Sequence, residues 1–142
     1  MDNPSDTRVA QVLRAAHRIA VVGLSSNPER PSYYVAYYLM EHGYEVIPVN
    51  PNENEVLGQP AYATLAEVPG HIDLVSIFRR PVAVPAAVRA AIAVGTEVVW
   101  MQLGAFNEQA AQQAADAGML VIANCCIAVE HARLIVHGMR IA

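Results

Sequence analysis

The stretch from Ile19 to Pro51, IAVVGLSSNPERPSYYVAYYLMEHGYEVIPVNP, constrains the chain more than any other. It reads as strand, loop, helix, strand. Ile19 to Leu24 is a short apolar run of the kind that forms a strand buried on both faces. Gly23 then lets the backbone turn tightly and lie close to its surroundings. Ser32 is expected to cap a helix whose Val35, Ala36, Leu39 and Met40 form an apolar stripe, with Gly43 closing it. Tyr44 to Val49 supplies the next strand, and Asn50-Pro51 stops it. A βαβ unit crosses over right-handedly, so the loop and the helix N-terminus meet at the carboxyl end of the sheet. Free N–H groups and the positive end of the helix dipole make that corner an anion site. Ser25, Ser26, Asn27 and Arg30 add donors and a cation, and the result is a phosphate cradle by composition and position.

Motifs that are missing narrow the ligand. The dinucleotide fingerprint G-x-G-x-x-G is absent, because Gly23-Leu24-Ser25 has no second glycine and none follows at the third site. Asn50 stands where an acidic residue would take the ribose hydroxyls of NAD. A Walker loop is impossible in a chain without lysine. An ADP-like ligand, ribose-phosphorylated or not, suits such a corner better than NAD or ATP. A plain doubly wound protein whose serine-rich loop is only a turn is the alternative.

The rest of the chain repeats the alternation. Thr7 to His17 reads as a first helix, and NENEVLGQPAYATL as a connection, followed by one helical turn over Thr64 to Val68. Asp73 to Phe78 is a third strand with Arg79, Arg80 and Pro81 directly behind it, at the same edge as the Gly23 loop. Pro85 opens a helix that runs to Val94 and stops at Gly95. Glu97 to Gln102 is the fourth strand, Asn107 caps a helix to Ala117, Met119 to Ala123 is the fifth strand, and Cys126 to Arg133 a last helix. Five such alternations predict an α/β chain with a Rossmann-like, doubly wound five-stranded parallel sheet, three layers deep as α/β/α.

The length, 142 residues, suits a single domain spanning 1–142. With 54% hydrophobic and 15% charged residues, disorder is excluded. The net charge of −4, with nine scattered arginines as the basic residues, argues against nucleic acid. No apolar run approaches membrane-spanning length and Met1 to Asp6 is unlike a signal peptide, so a cytoplasmic protein without a membrane partner is expected. Adjacent Cys125 and Cys126 do not form an unstrained bridge; one buried and one partly buried thiol are expected. The five histidines show no metal spacing, and Glu130-His131 reads as a helix surface.

Taken together, VVGLSSNPERPSYYVAYYL, GYEVIPVNP, DLVSIFRRP with Val84-Pro85, VVWMQLG and, more loosely, CIAVEH resemble the small stand-alone CoA-binding proteins. These are similar to the CoA-binding domain of the succinyl-CoA synthetase α subunit and of ADP-forming acyl-CoA synthetases. The resemblance implies that coenzyme A lies across the carboxyl edge of the sheet. It implies that Gly23, Ser25, Ser26 and Arg30 hold the ADP phosphates, with Ser32 and Tyr33 contributing from the helix. It places Asn50 and Pro51 beside the adenosine, and Phe78, Arg79 and Arg80 along the pantetheine arm or against phosphate. Gln102 and Gly104 would lie near the thiol end. The family usually has an acidic and then a basic residue before the last cysteine, where this chain has Asn124 and Cys125.

The resulting expectation is a non-catalytic module for CoA or short acyl-CoA, since the phosphohistidine and nucleotide-grasp parts of the synthetases have no counterpart in these residues. A CoA-presenting subunit of an acyl-CoA synthetase-type complex, and a NAD- or nucleotide-binding redox sensor, are the alternatives. Tyr33, Tyr34, Tyr37 and Tyr38 on consecutive helical turns suit a homodimer surface as well as a ligand wall. Gly23→Val is expected to block the ligand with the fold intact.

Overall fold

A computed structural model describes residues 2–138. In chain order the elements are α1 (Asp6–Ala15), β1 (Arg18–Val22), α2 (Pro31–Glu41), β2 (Glu45–Val49), a small hairpin of β3 (Glu55–Val56) and β4 (Gln59–Pro60), and β5 (Leu74–Ile77). Then follow α3 (Val84–Val94), β6 (Val98–Met101), α4 (Glu108–Asp116), β7 (Leu120–Ala123) and α5 (Ile127–His131), which runs on as a π-helical stretch over Ala132–His137. Five parallel strands form one sheet in the order β2-β1-β5-β6-β7. This is the Rossmann-like architecture that the alternation predicts.

Both faces of the sheet are covered, and the strands show why their sequences are continuously apolar. Ile19 and Val21 of β1 enter one core with Val9 and Leu13 of α1, Val35 and Leu39 of α2, and Ile127 of α5. Ala20 and Val22 enter the other with Val84 and Val88 of α3 and Ala110 and Ala114 of α4. Trp100 of β6, fully buried, belongs to the first core and donates its indole N–H to the Cys125 carbonyl at 2.9 Å. Among the described residues no helix is long and apolar enough to cross a membrane.

Several local expectations change. Ser32 does not cap α2: the helix starts at Pro31 with Arg30 in the cap position and no side-chain cap bond, because Ser32 Oγ is turned back to the Gly23 loop. Pro85 is the second residue of α3 rather than the first, still within the turn where its missing N–H is harmless. The connection after Pro51 contains the β3–β4 hairpin, too short to leave a period in the sequence. His131 is buried, so the Glu130-His131 pair is not simply a helix surface. Tyr38 and His131 share a hydrogen bond of 2.9 Å at His131 Nδ1, and burial, with the neighbouring His42, pulls the His131 pKa down. Both cysteines are free and half-buried, not one buried and one partly so.

Candidate functional site

The chain leaves β1 toward β2 on one side and returns to β5 on the other, so a crevice opens between the carboxyl ends of β1 and β5. Gly23 follows β1 and Phe78 follows β5 across that crevice. They lie so close that a Cβ added at Gly23 would sit 2.0 Å from the Phe78 carbonyl oxygen, and Gly23 has φ +89°. Glycine is therefore a requirement of the fold here, which corrects the expectation that Gly23→Val leaves the fold intact.

A cleft of about 350 Å³ lies over this junction. Its walls are Gly23 and Ser25 from the first loop, Arg30, Pro31 and Ser32 from the start of α2, Asn50 beyond β2, and Phe78 and Arg79 beyond β5. Buried Ser32 accepts the Ser25 N–H at 3.1 Å and so fixes the loop against the helix. Buried Asn50 donates to the Leu24 carbonyl at 3.1 Å and accepts the Asn52 N–H at 3.0 Å. The start of α2 carries no acidic side chain in its first turn, so its positive end is uncompensated from within. Arg30, Arg79 and Arg80 form no ion pair among the described residues. Two cations, Arg30 and Arg79, and a helix N-terminus at one corner suit an anionic ligand.

The loop amides are less free than the sequence suggests. Asn27 N–H bonds Ser25 Oγ, Glu29 N–H bonds Asn27 Oδ1, and Arg30 N–H bonds the Asn27 carbonyl, each at 3.0 Å. Ser26 N–H donates to the Glu53 carboxylate at 2.7 Å. These turns preform the loop.

Of the predicted site residues, Gly23, Ser25, Arg30, Ser32, Asn50, Phe78 and Arg79 come together in the cleft, and Pro31 joins them unannounced. Ser26, next to Ser25 in the loop, is exposed and is not among the residues that line the cleft; its N–H goes to Glu53. Pro51 is exposed in the turn after β2, and Arg80 is exposed at the start of a short 3₁₀ turn. Tyr33 lines a separate depression with Pro28, Tyr34, Tyr37 and Leu57. Gln102 is buried and accepts the Ile127 N–H at 3.0 Å, which satisfies the start of α5. Gly104 lies in the loop after β6, and neither it nor Gln102 lines the cleft. Arg79 also borders an apolar groove of about 280 Å³ that includes Val22, Val49, Leu65, Ala83 and Ala87. Burial, with Glu130 nearby, pushes the Cys125 thiol up to about 11, so it stays protonated at neutral pH and is a poor nucleophile.

Comparison with known proteins gives a consistent result. A family model described as a CoA binding domain matches residues 17–132. The chain is 42% identical to the uncharacterized protein YneT of Bacillus subtilis (strain 168) over 93% of its own length and 98% of that protein's. A solved structure of a hypothetical protein from Pyrococcus horikoshii OT3 superposes with a TM-score of 0.93 at 39% identity, covering 95% of both chains. The acetate–CoA ligase (ADP-forming) II subunit alpha of Pyrococcus furiosus shares 45% identity over 60 residues, 42% of this chain and 13% of that protein. With four-fifths of its residues inside the matched segment and the sheet, switch point and cationic cleft in place, the chain belongs to the CoA-binding-domain family.

Proposed function

We propose that this protein binds coenzyme A or a short acyl-CoA at the carboxyl edge of its sheet and does no chemistry on it. The observation that carries the reading is the cleft at the β1–β5 switch point, where Arg30 and Arg79, without an ion pair among the described residues, stand beside the start of α2. In this reading the diphosphate meets Ser25, Ser26, Arg30 and Arg79, with Ser32 and Gly23 setting the loop. Adenosine passes Asn50 and Pro51 toward the apolar groove beyond Arg79, and the pantetheine arm runs past Phe78 and Arg80. Gln102 and Gly104 lie farther out toward the thiol, and Tyr33 faces a neighbouring depression. None of the cleft's walls is an acid or a histidine, so the cleft offers no nucleophile with a base beside it.

Native mass spectrometry of the freshly purified protein, followed by calorimetric titration with CoA, tests this. Bound CoA or acyl-CoA, or micromolar affinity with no response to NAD, is expected. No adduct and no heat would sink it. A second reading, a subunit that presents CoA to a partner, is favoured by the segment shared with the acetate–CoA ligase subunit. Recovery of a ligase-like partner in a pull-down distinguishes it. The exposed rings of Tyr34 and Tyr37 fit a homodimer, which sedimentation would reveal.

A further inference from the structure

The Glu53 carboxylate takes the Ser26 N–H at 2.7 Å, one residue beyond the cleft-lining Ser25 and in the very loop offered to phosphate. Its position is held from behind. Glu53 N–H bonds the Asn50 carbonyl at 3.2 Å, Asn52 N–H bonds Asn50 Oδ1 at 3.0 Å, and Asn50 is anchored to Leu24. The turn after β2 thus delivers a carboxylate to the loop after β1. A carboxylate and a phosphate ask the same thing of a backbone N–H, a negatively charged oxygen within hydrogen-bond distance. Both cannot have the Ser26 N–H at once, and two anions side by side repel.

From this contact we propose that Glu53 is an internal anion that competes with a ligand phosphate for the Ser26 N–H, and so limits the affinity and selectivity of the cleft. The proposal rests on the reading of the cleft as a phosphate site. Glu53 also supplies, from a position beyond Asn50, the carboxylate that the end of β2 lacks. A phosphate on the ligand ribose is therefore the group it opposes most directly, whereas free ribose hydroxyls could donate to it.

The test is calorimetric titration of the wild-type protein, Glu53→Gln and Glu53→Asp with CoA, with CoA lacking its ribose phosphate, and with ADP. Glu53→Gln removes the charge. Glu53→Asp keeps the charge and shortens its reach to Ser26. The expected result is roughly fivefold tighter CoA binding by Glu53→Gln, with a smaller gain for the two ligands without the ribose phosphate. A partial gain in Glu53→Asp is expected from release of the N–H. The Ser26 amide resonance, shifted downfield by the carboxylate, should move in Glu53→Gln without ligand and move again when CoA is added. Equal or weaker binding of all three ligands by Glu53→Gln, with an unchanged melting temperature, overturns the proposal. If CoA binds neither protein while ADP binds Glu53→Gln more tightly, the CoA reading fails and the competition stands. If none of the three ligands binds either protein, both fall.

Discussion

At the amino edge of the sheet the polar side chains are occupied with one another and with the backbone. Arg18 pairs with Glu45 at 3.0 Å and reaches the His71 carbonyl at 2.7 Å. His71 pairs with Glu97 at 2.7 Å, and Asp73 accepts the N–H groups of His17 and Arg18, both at 2.8 Å. Ligand atoms of His71, Asp73 and Glu97 even fall within 4.8 Å of one another, a proximity that the scattered histidines do not show in sequence. The carboxyl edge is the opposite case. Arg30, Arg79 and Arg80 have no ion pair among the described residues, and the Glu53 carboxylate bonds a backbone amide. Polar groups that satisfy one another make the amino edge part of the scaffold. Cations left over around a helix N-terminus make the carboxyl edge a place for something else.

The largest test of this contrast is at the junction itself. Gly23→Ala forces a Cβ against the Phe78 carbonyl at positive φ, and should destabilise the fold by about 2–4 kcal/mol. Denaturant midpoints measure it, and an unchanged midpoint would mean that the two loops separate freely. Next, Arg30→Ala or Arg79→Ala should each weaken CoA by about 1.5–3 kcal/mol while leaving the melting temperature nearly untouched. Full affinity in both variants would place the ligand elsewhere.

Asp73 offers a pH test of the amino edge. Burial pushes its carboxyl up, but the N–H groups of Arg18 and His17 and the nearby His71 outweigh that and hold it below the usual value. A lowered folded pKa contributes stability above about pH 4 that is lost as the pH falls through the folded value. Asp73→Asn should therefore flatten the acid limb of the melting curve and leave CoA affinity at neutral pH alone. The smallest effect belongs to Arg18–Glu45, where a double-mutant cycle should return less than about 1 kcal/mol because both side chains meet solvent. A larger coupling there would blur the distinction between the two edges.

Much of this was open to inspection in the chain. The Ile19–Pro51 unit, the order of five strands and the closing glycines follow from rules that act within a few residues. A strand buried on both faces must be apolar throughout, as Arg18–Val22 and Val98–Met101 nearly are, and a helix must end where Gly95 takes φ +77°. The corner that collects Gly23, Arg30, Asn50 and Arg79 follows as well, because right-handed crossovers bring those loops to one edge.

Decisions made between distant residues were not open in that way. Ser32 looks like a cap in one dimension, yet its hydroxyl serves the Ser25 amide once the loop folds over α2. Gln102 is only a polar residue behind a strand in one dimension, yet its side-chain oxygen takes the Ile127 N–H at the start of α5, 25 residues later. Gly23 is demanded by the Phe78 backbone, and Glu53 reaches Ser26 across 27 residues of sequence. Local periodicity determines which residues are inside and in what order the layers form, because burial and backbone geometry act along the chain. Which polar group answers which depends on distances between separate loops, and those exist only once the sheet has brought the loops together.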